Sequence, residues 1–131
     1  LEHIADVIGS HMVTSTRKRL DEGARISPDT AKRLGDYHSA VAMALEGSVQ
    51  SVVTEDAKAA SAVRDMKNEV VEMSRYISRT RFERIKSADG AIGRYVREVE
   101  LLELLDGIFK TARRIAQSQI EREEPEAAPA A

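Results

Sequence analysis

The sequence predicts an all-α fold, an up-and-down bundle of about four long antiparallel helices, and three observations lead there. Apolar residues recur at spacings of three and four along most of the chain, the period of a helix with one buried face. Clusters of turn-forming and capping residues at 21–23, 27–29, 54–56 and 87–90 divide that pattern into four segments. Aromatic residues make up only 4 % and Trp is absent, so the core must be built from Val, Leu, Ile, Ala and Met, which suits helix-on-helix packing. At 131 residues the chain is one domain's worth, and 42 % apolar with 32 % charged residues fits helices that bury one stripe and solvate the rest.

The first segment places Leu1, Ile4, Ile8 and Met12 on one stripe with Val7 beside it, fading at Asp21-Glu22-Gly23, where Gly can take the left-handed conformation that ends a helix. No capping residue precedes Leu1, so the sequence is expected to begin inside a longer helix. Ser27-Pro28-Asp29 then signals a second start: Ser caps free N–H groups, Pro suits the first helical position and Asp favours the positive end of the dipole. Its seam is Ala31, Leu34, Tyr37/His38, Val41, Leu45, Ser48/Val49 and Val52. Thr54-Glu55-Asp56 offers a tight turn and a new N-cap. The third helix carries Ala60, Val63, Met66/Lys67, Val70, Met73/Ser74, Ile77 and Arg81, with Phe82 and Ile85 extending its apolar side. Beyond the turn at Ser87-Ala88-Asp89-Gly90, Ile92, Tyr95/Val96, Val99, Leu102, Leu105, Phe109, Ala112 and Ala116 form the longest seam. Residues 1–120 are thus expected to be the helical domain, and 121–131, an acidic and Ala/Pro-rich tail, to be disordered.

Composition narrows the function classes. A net charge of −2, from 20 basic and 22 acidic residues, gives no global field toward nucleic acid or an anionic membrane. The absence of Cys removes disulfides, thiolate metal sites and a Cys nucleophile. No apolar run approaches the roughly 20 residues of a bilayer span, so a soluble domain is expected. Phosphate-binding glycine loops, nucleophile elbows and Glu-x-x-His pairs are missing, so the chain is not expected to be an enzyme. His3, His11 and His38 lack metal-ligand spacing and read as surface or boundary residues. Arg75, Arg79, Arg81, Arg84 and Lys86 gather near the end of the third helix, where the dipole favours cations and Glu69, Glu72 and Glu83 dilute them; a solvated face is expected there, and likewise for Arg113 and Arg114. One constellation stands out: Glu2 and Asp6, four apart on one helical face with His3 close by, offer two oxygen ligands to a hard or borderline cation.

The opening LEHIADVI is similar to the Leu-Glu-x-Ile-x-Asp signature of PhoU-like domains, which are built from three-helix repeats and are associated with phosphate uptake and its regulation. A charged loop from Leu20 to Ile26, a Ser-capped helix, the turn VVTEDAKAA, the helix KNEVVEMSRYISRTRFERI and finally VELLELLDGIFKTARRIAQ follow in an order that resembles the C-terminal PhoU-like domain of bacterial sodium/phosphate cotransporter family proteins. The likeness runs from Leu1 to about Gln117. It implies a PhoU-like bundle on the cytoplasmic face of the inner membrane, partnered by the membrane transporter domain of the same protein. It also implies iron or another divalent metal at Glu2 and Asp6, carried over from the family's Glu-x-x-x-Asp motif. The second copy of that motif fails, because Glu103 and Asp106 in LELLDGIFK are three apart; this disfavours a two-cluster PhoU protein and favours the transporter-appended form.

The function so implied is a non-enzymatic regulatory or accessory domain of a sodium-dependent phosphate transporter. A free-standing PhoU-type phosphate-signalling regulator and a generic helical oligomerisation module are the alternatives, with a carboxylate metalloenzyme further off. If the first helix lacks its own partners, a homodimer is expected to cover its stripe. No nucleic-acid partner is expected.

Overall fold

A computed structural model describes residue 2 and residues 28–87 and 92–123, which form four helices: α1 (Pro28–Val53), α2 (Ala57–Asp65), α3 (Lys67–Ser87) and α4 (Ile92–Glu123). No strand occurs among the described residues. Apart from Glu2, which is helical, the first expected helix, the Ser27 cap and the turn at 88–91 lie outside the described residues.

α1 begins at Pro28, where proline's fixed φ already suits a helix and its missing N–H costs nothing, because the first N–H groups of a helix have no internal acceptor. It ends in a Schellman turn: Glu55 takes a left-handed φ of 52°, and the Asp56 N–H reaches back to the Ser51 carbonyl at 3.0 Å. Asp56 then turns outward into extended backbone and its carboxylate accepts from the N–H groups of Lys58 (2.8 Å) and Ala59 (3.3 Å), capping α2. The expected turn is therefore present, with Asp56 as the cap.

The third helix is expected to be continuous, but it breaks at Met66. There the N–H turns to the Val63 carbonyl at 3.2 Å, a tighter i to i−3 bond, before the helical ladder resumes from Val70 to the Met66 carbonyl. α2 and α3 thus form one interrupted rod. The first residues of that rod meet the last turn of α4, where the Ala57 N–H lies 3.3 Å from Glu123 Oε2. Farther along, Ser74 of α3 and Tyr37 of α1 both bond to Asp106 of α4. The same number of residues separates 57 from 74 and 106 from 123, so α1 and α4 run in one direction and the α2–α3 rod in the other. α4 is the central element, packed along α1 and α2 and over part of α3.

The core consists of Leu34, Tyr37, Val41 and Ala44 from α1, Ala60, Val63, Val70 and Ile77 from the second rod, and Leu102 to Ile120 at helical spacing from α4. On α1 the buried stripe is Thr30, Leu34, Tyr37, Val41, Ala44, Ser48 and Ser51. This lies one position to the side of the expected seam at three places: Ala31 is exposed, Leu45 half-buried and Val52 exposed. The reason is distance. α1 approaches α2 so closely that a Cβ on Gly47 would fall 2.8 Å from Val63 Cγ2, and only small residues fit the inner stripe there. Ser48 and Ser51 satisfy their hydroxyls within the helix, donating to the carbonyls of Leu45 (2.8 Å) and Ser48 (2.7 Å). Two further expectations are corrected. Phe82 does not extend the buried side of its helix but is 60 % exposed. α4 also continues through 121–123, which the sequence assigns to the disordered tail; 124–131 lie outside the described residues.

The close approach gives a paired prediction. Gly47→Ala gains about 1 kcal/mol of helix propensity, but it overpacks a buried, β-branched Val63 that has little rotamer freedom; a net loss of about 1 kcal/mol is expected in urea unfolding. Gly35→Ala, whose new methyl meets nothing within 4 Å, should instead stabilise by up to about 1 kcal/mol.

Candidate functional site

Of the carboxylate pair expected to hold a metal, Glu2 is exposed on its helix, while Asp6 and the neighbouring His3 lie outside the described residues, as does His11. Among the described residues, no group of three or more His, Asp or Glu side chains is placed to hold a metal ion. His38 is exposed on α1.

Asp106, the residue whose spacing from Glu103 breaks the second motif, lies half-buried where α1, α3 and α4 meet. Tyr37, wholly buried on α1, donates its hydroxyl to Asp106 Oδ1, and Ser74 Oγ lies 3.4 Å from Oδ2. One carboxylate thereby ties all three rods, while Glu103 is exposed. Burial pushes the Tyr37 phenol well above its ordinary pKa; the hydrogen bond to Asp106 and the Asp106 charge add to the rise, and Ser74 opposes it. At neutral pH the phenol is a fixed donor. The node therefore holds helices in register, a structural task that side-chain spacing alone did not show.

Three surface features surround this node. Between α1 and α3, a groove of about 350 Å³ is lined by Arg33, Asp36, Glu69, Glu72, Met73, Tyr76 and Ile77. There the Arg33 guanidinium stacks 4.2 Å above the Tyr76 ring and donates to Asp29 at 2.9 Å, the hydrogen bond that raises its pKa most. Along α1, Met43, Leu45, Glu46, Gly47, Val49 and Gln50 line a shallow groove, with Met43 64 % exposed. The third feature is basic. Lys110, Arg113, Arg114 and Gln117 of α4 meet Arg64 of α2 around a cleft of about 340 Å³.

The cationic residues thus sort differently from their expected grouping. On α3, Arg75 pairs with Glu72 at 2.9 Å, Arg79 is exposed and Arg81 is half-buried, while the side chains of Arg84 and Lys86 lie outside the described residues. Arg114 is exposed, as a solvated face requires, and Arg113 is half-buried; both are gathered with two other cations. Helical spacing links 110, 113, 114 and 117, but Arg64 joins them only through the packing of α2 on α4.

Comparison of the chain with protein families, with characterised proteins and with solved structures finds no match.

The polar node has a signature in alkali. Because the folded-state pKa of Tyr37 is raised, its contribution is fully present below the unfolded phenol value of about 10 and is lost as pH rises above it, at up to about 1.4 kcal/mol per pH unit. Stability measured by urea unfolding at pH 8 and pH 11 should fall more in the wild type than in Tyr37→Phe. At pH 8 the variant should be about 1–3 kcal/mol less stable, because Asp106 has lost a donor.

Proposed function

We propose that the chain is a non-enzymatic, PhoU-like regulatory or accessory domain of a sodium-dependent phosphate transporter. The observation that carries the reading is the order of features along the chain. In the sequence the LEHIADVI opening is followed by segments in the order the resemblance implies, and the described helices α1, α2–α3 and α4, with the capped turn at Asp56, are compatible with that order, although the break at Met66 is not part of it. Packing of the last three rods into one core supports a helical module. On this reading the partner is the transporter domain of the same protein at the cytoplasmic face of the inner membrane. No helix among the described residues is long and apolar enough to cross a membrane, so on this reading the spans belong to that partner domain.

The test is sodium-dependent phosphate uptake in cells carrying the full-length gene, with and without the segment corresponding to residues 28–123. Loss of the segment should change the response of uptake to external phosphate while the transporter remains in the membrane. An unchanged response would leave a helical oligomerisation module as the better account.

A metal at Glu2 and Asp6 belongs to the same proposal. Two carboxylates supply hard oxygen donors but fill only part of the shell such an ion needs, so the remaining ligands would come from other groups. Metal content of the intact chain, purified without chelator and measured by mass spectrometry, should be stoichiometric and should fall to background in Glu2→Gln/Asp6→Asn. Metal-free wild-type protein would remove the metal from the proposal.

A further inference from the structure

The α2–α4 cleft gathers Arg64, Lys110, Arg113 and Arg114, with Gln117 at its edge. Its charge is poorly balanced from within. Arg64 pairs with the adjacent Asp65 at 3.1 Å, both side chains being largely exposed, but Lys110, Arg113 and Arg114 form no ion pair among the described residues. Asp106, one turn before Lys110, is turned inward to Tyr37 and Ser74. Glu121, the nearest carboxylate beyond Gln117 on that face of α4, accepts from the Gln117 amide at 3.1 Å. Lys110 and Arg114 are also four apart on one helix face, a spacing at which like charges repel.

Arg113 adds an independent observation. Its Nε is enclosed, yet it donates to no acceptor among the described residues. A buried donor without a partner is costly, and an acceptor brought by a ligand relieves that cost.

We propose that this cleft binds a soluble polyanion carrying two or more phosphate groups. Three guanidinium groups supply planar forks that match phosphate oxygens, and Lys110 supplies a point charge. After the Arg64–Asp65 pair is counted, three net positive charges remain, which calls for a ligand of several negative charges rather than a single carboxylate. No aromatic side chain lines the cleft, so a nucleobase has no ring to stack on and the phosphates themselves are the recognised part. The lining also lacks an apolar side chain that could enter a bilayer, which favours a soluble ligand over a lipid headgroup. With the whole chain at −2, attraction is local to the cleft and is screened within about 8 Å at physiological salt. This assignment rests on the cleft alone and does not depend on the transporter reading.

The test is calorimetric titration of the intact chain with inorganic tripolyphosphate at physiological salt, with sulfate at matched ionic strength as the reference. Tripolyphosphate should bind saturably and at least about tenfold more tightly than sulfate. Arg64→Gln and Arg113→Gln/Arg114→Gln should each weaken it by about tenfold or more, while Arg75→Gln/Arg79→Gln leaves it unchanged. Backbone amide shifts on titration should concentrate at residue 64 and residues 110–117. That readout decides the matter in wild-type protein even if the double variant does not fold. No saturable binding, equal weakening by the α3 variant, or binding confined to phosphatidylglycerol vesicles would overturn the proposal.

Discussion

α4 can lie against both α1 and α2 only because the inner stripes of these helices are narrow. Ala44, Ser48 and Ser51 on α1, Ala60 on α2 and Ala112 and Ala116 on α4 are all buried, and none projects beyond a hydroxymethyl group. At Gly47 the facing Val63 methyl leaves no room even for a Cβ. Dispersion contacts weaken steeply with separation, so an approach this close contributes packing energy that larger side chains would block. It also fixes where the rods sit along one another, because the larger core residues, Leu34, Tyr37 and Val41 on one side and Leu102, Leu105 and Phe109 on the other, must fill the wider part of the bundle.

The register so fixed brings the polar groups together. Tyr37 meets Asp106, Ser74 reaches the other carboxylate oxygen, and the Ala57 amide meets Glu123 at the far end. A slip of one helical turn along α4 would separate the buried Tyr37 from its acceptor, at the cost of a desolvated hydroxyl. Apolar packing tolerates small slips more readily, so the node discriminates among alignments that the core alone would accept. The same register carries Arg64 to the basic stripe of α4, and the surface cleft is in this sense a consequence of the interior.

Helix positions were legible because caps and apolar period agreed. Pro28 began α1, Asp56 ended the tight turn, and Leu102, Leu105, Phe109, Ala112 and Ala116 all entered the core. The inner face of α1 was read one position off where hydropathy favours Leu45 and Val52 over Ala44 and Ser51; the geometry of close approach, which no local pattern encodes, reverses that order. The break at Met66 has no proline or glycine to announce it. The polar node and the basic cleft were illegible for a common reason: each joins residues from separate rods, and Arg64 has no sequence signal linking it to Arg113. The carboxylate pair at Glu2 and Asp6 is expected from its spacing of four in the sequence, and Asp6 lies outside the described residues.

The bundle, held by small residues and one carboxylate node, offers apolar side chains on α1 and a basic cleft between α2 and α4 at its surface. Both depend on α1 and α4 running in the same direction, packed directly on each other, with the α2–α3 rod running opposite to both. The most direct measurement is the distance between nitroxide labels at Lys58 and Glu121, exposed positions at the end of the bundle where Ala57 meets Glu123. With this register the distance should lie below about 25 Å; with α4 reversed against α2 the labels would separate by most of the length of α4, about 40 Å or more at 1.5 Å per residue. The shorter distance is the result the account predicts, and the longer one would contradict it.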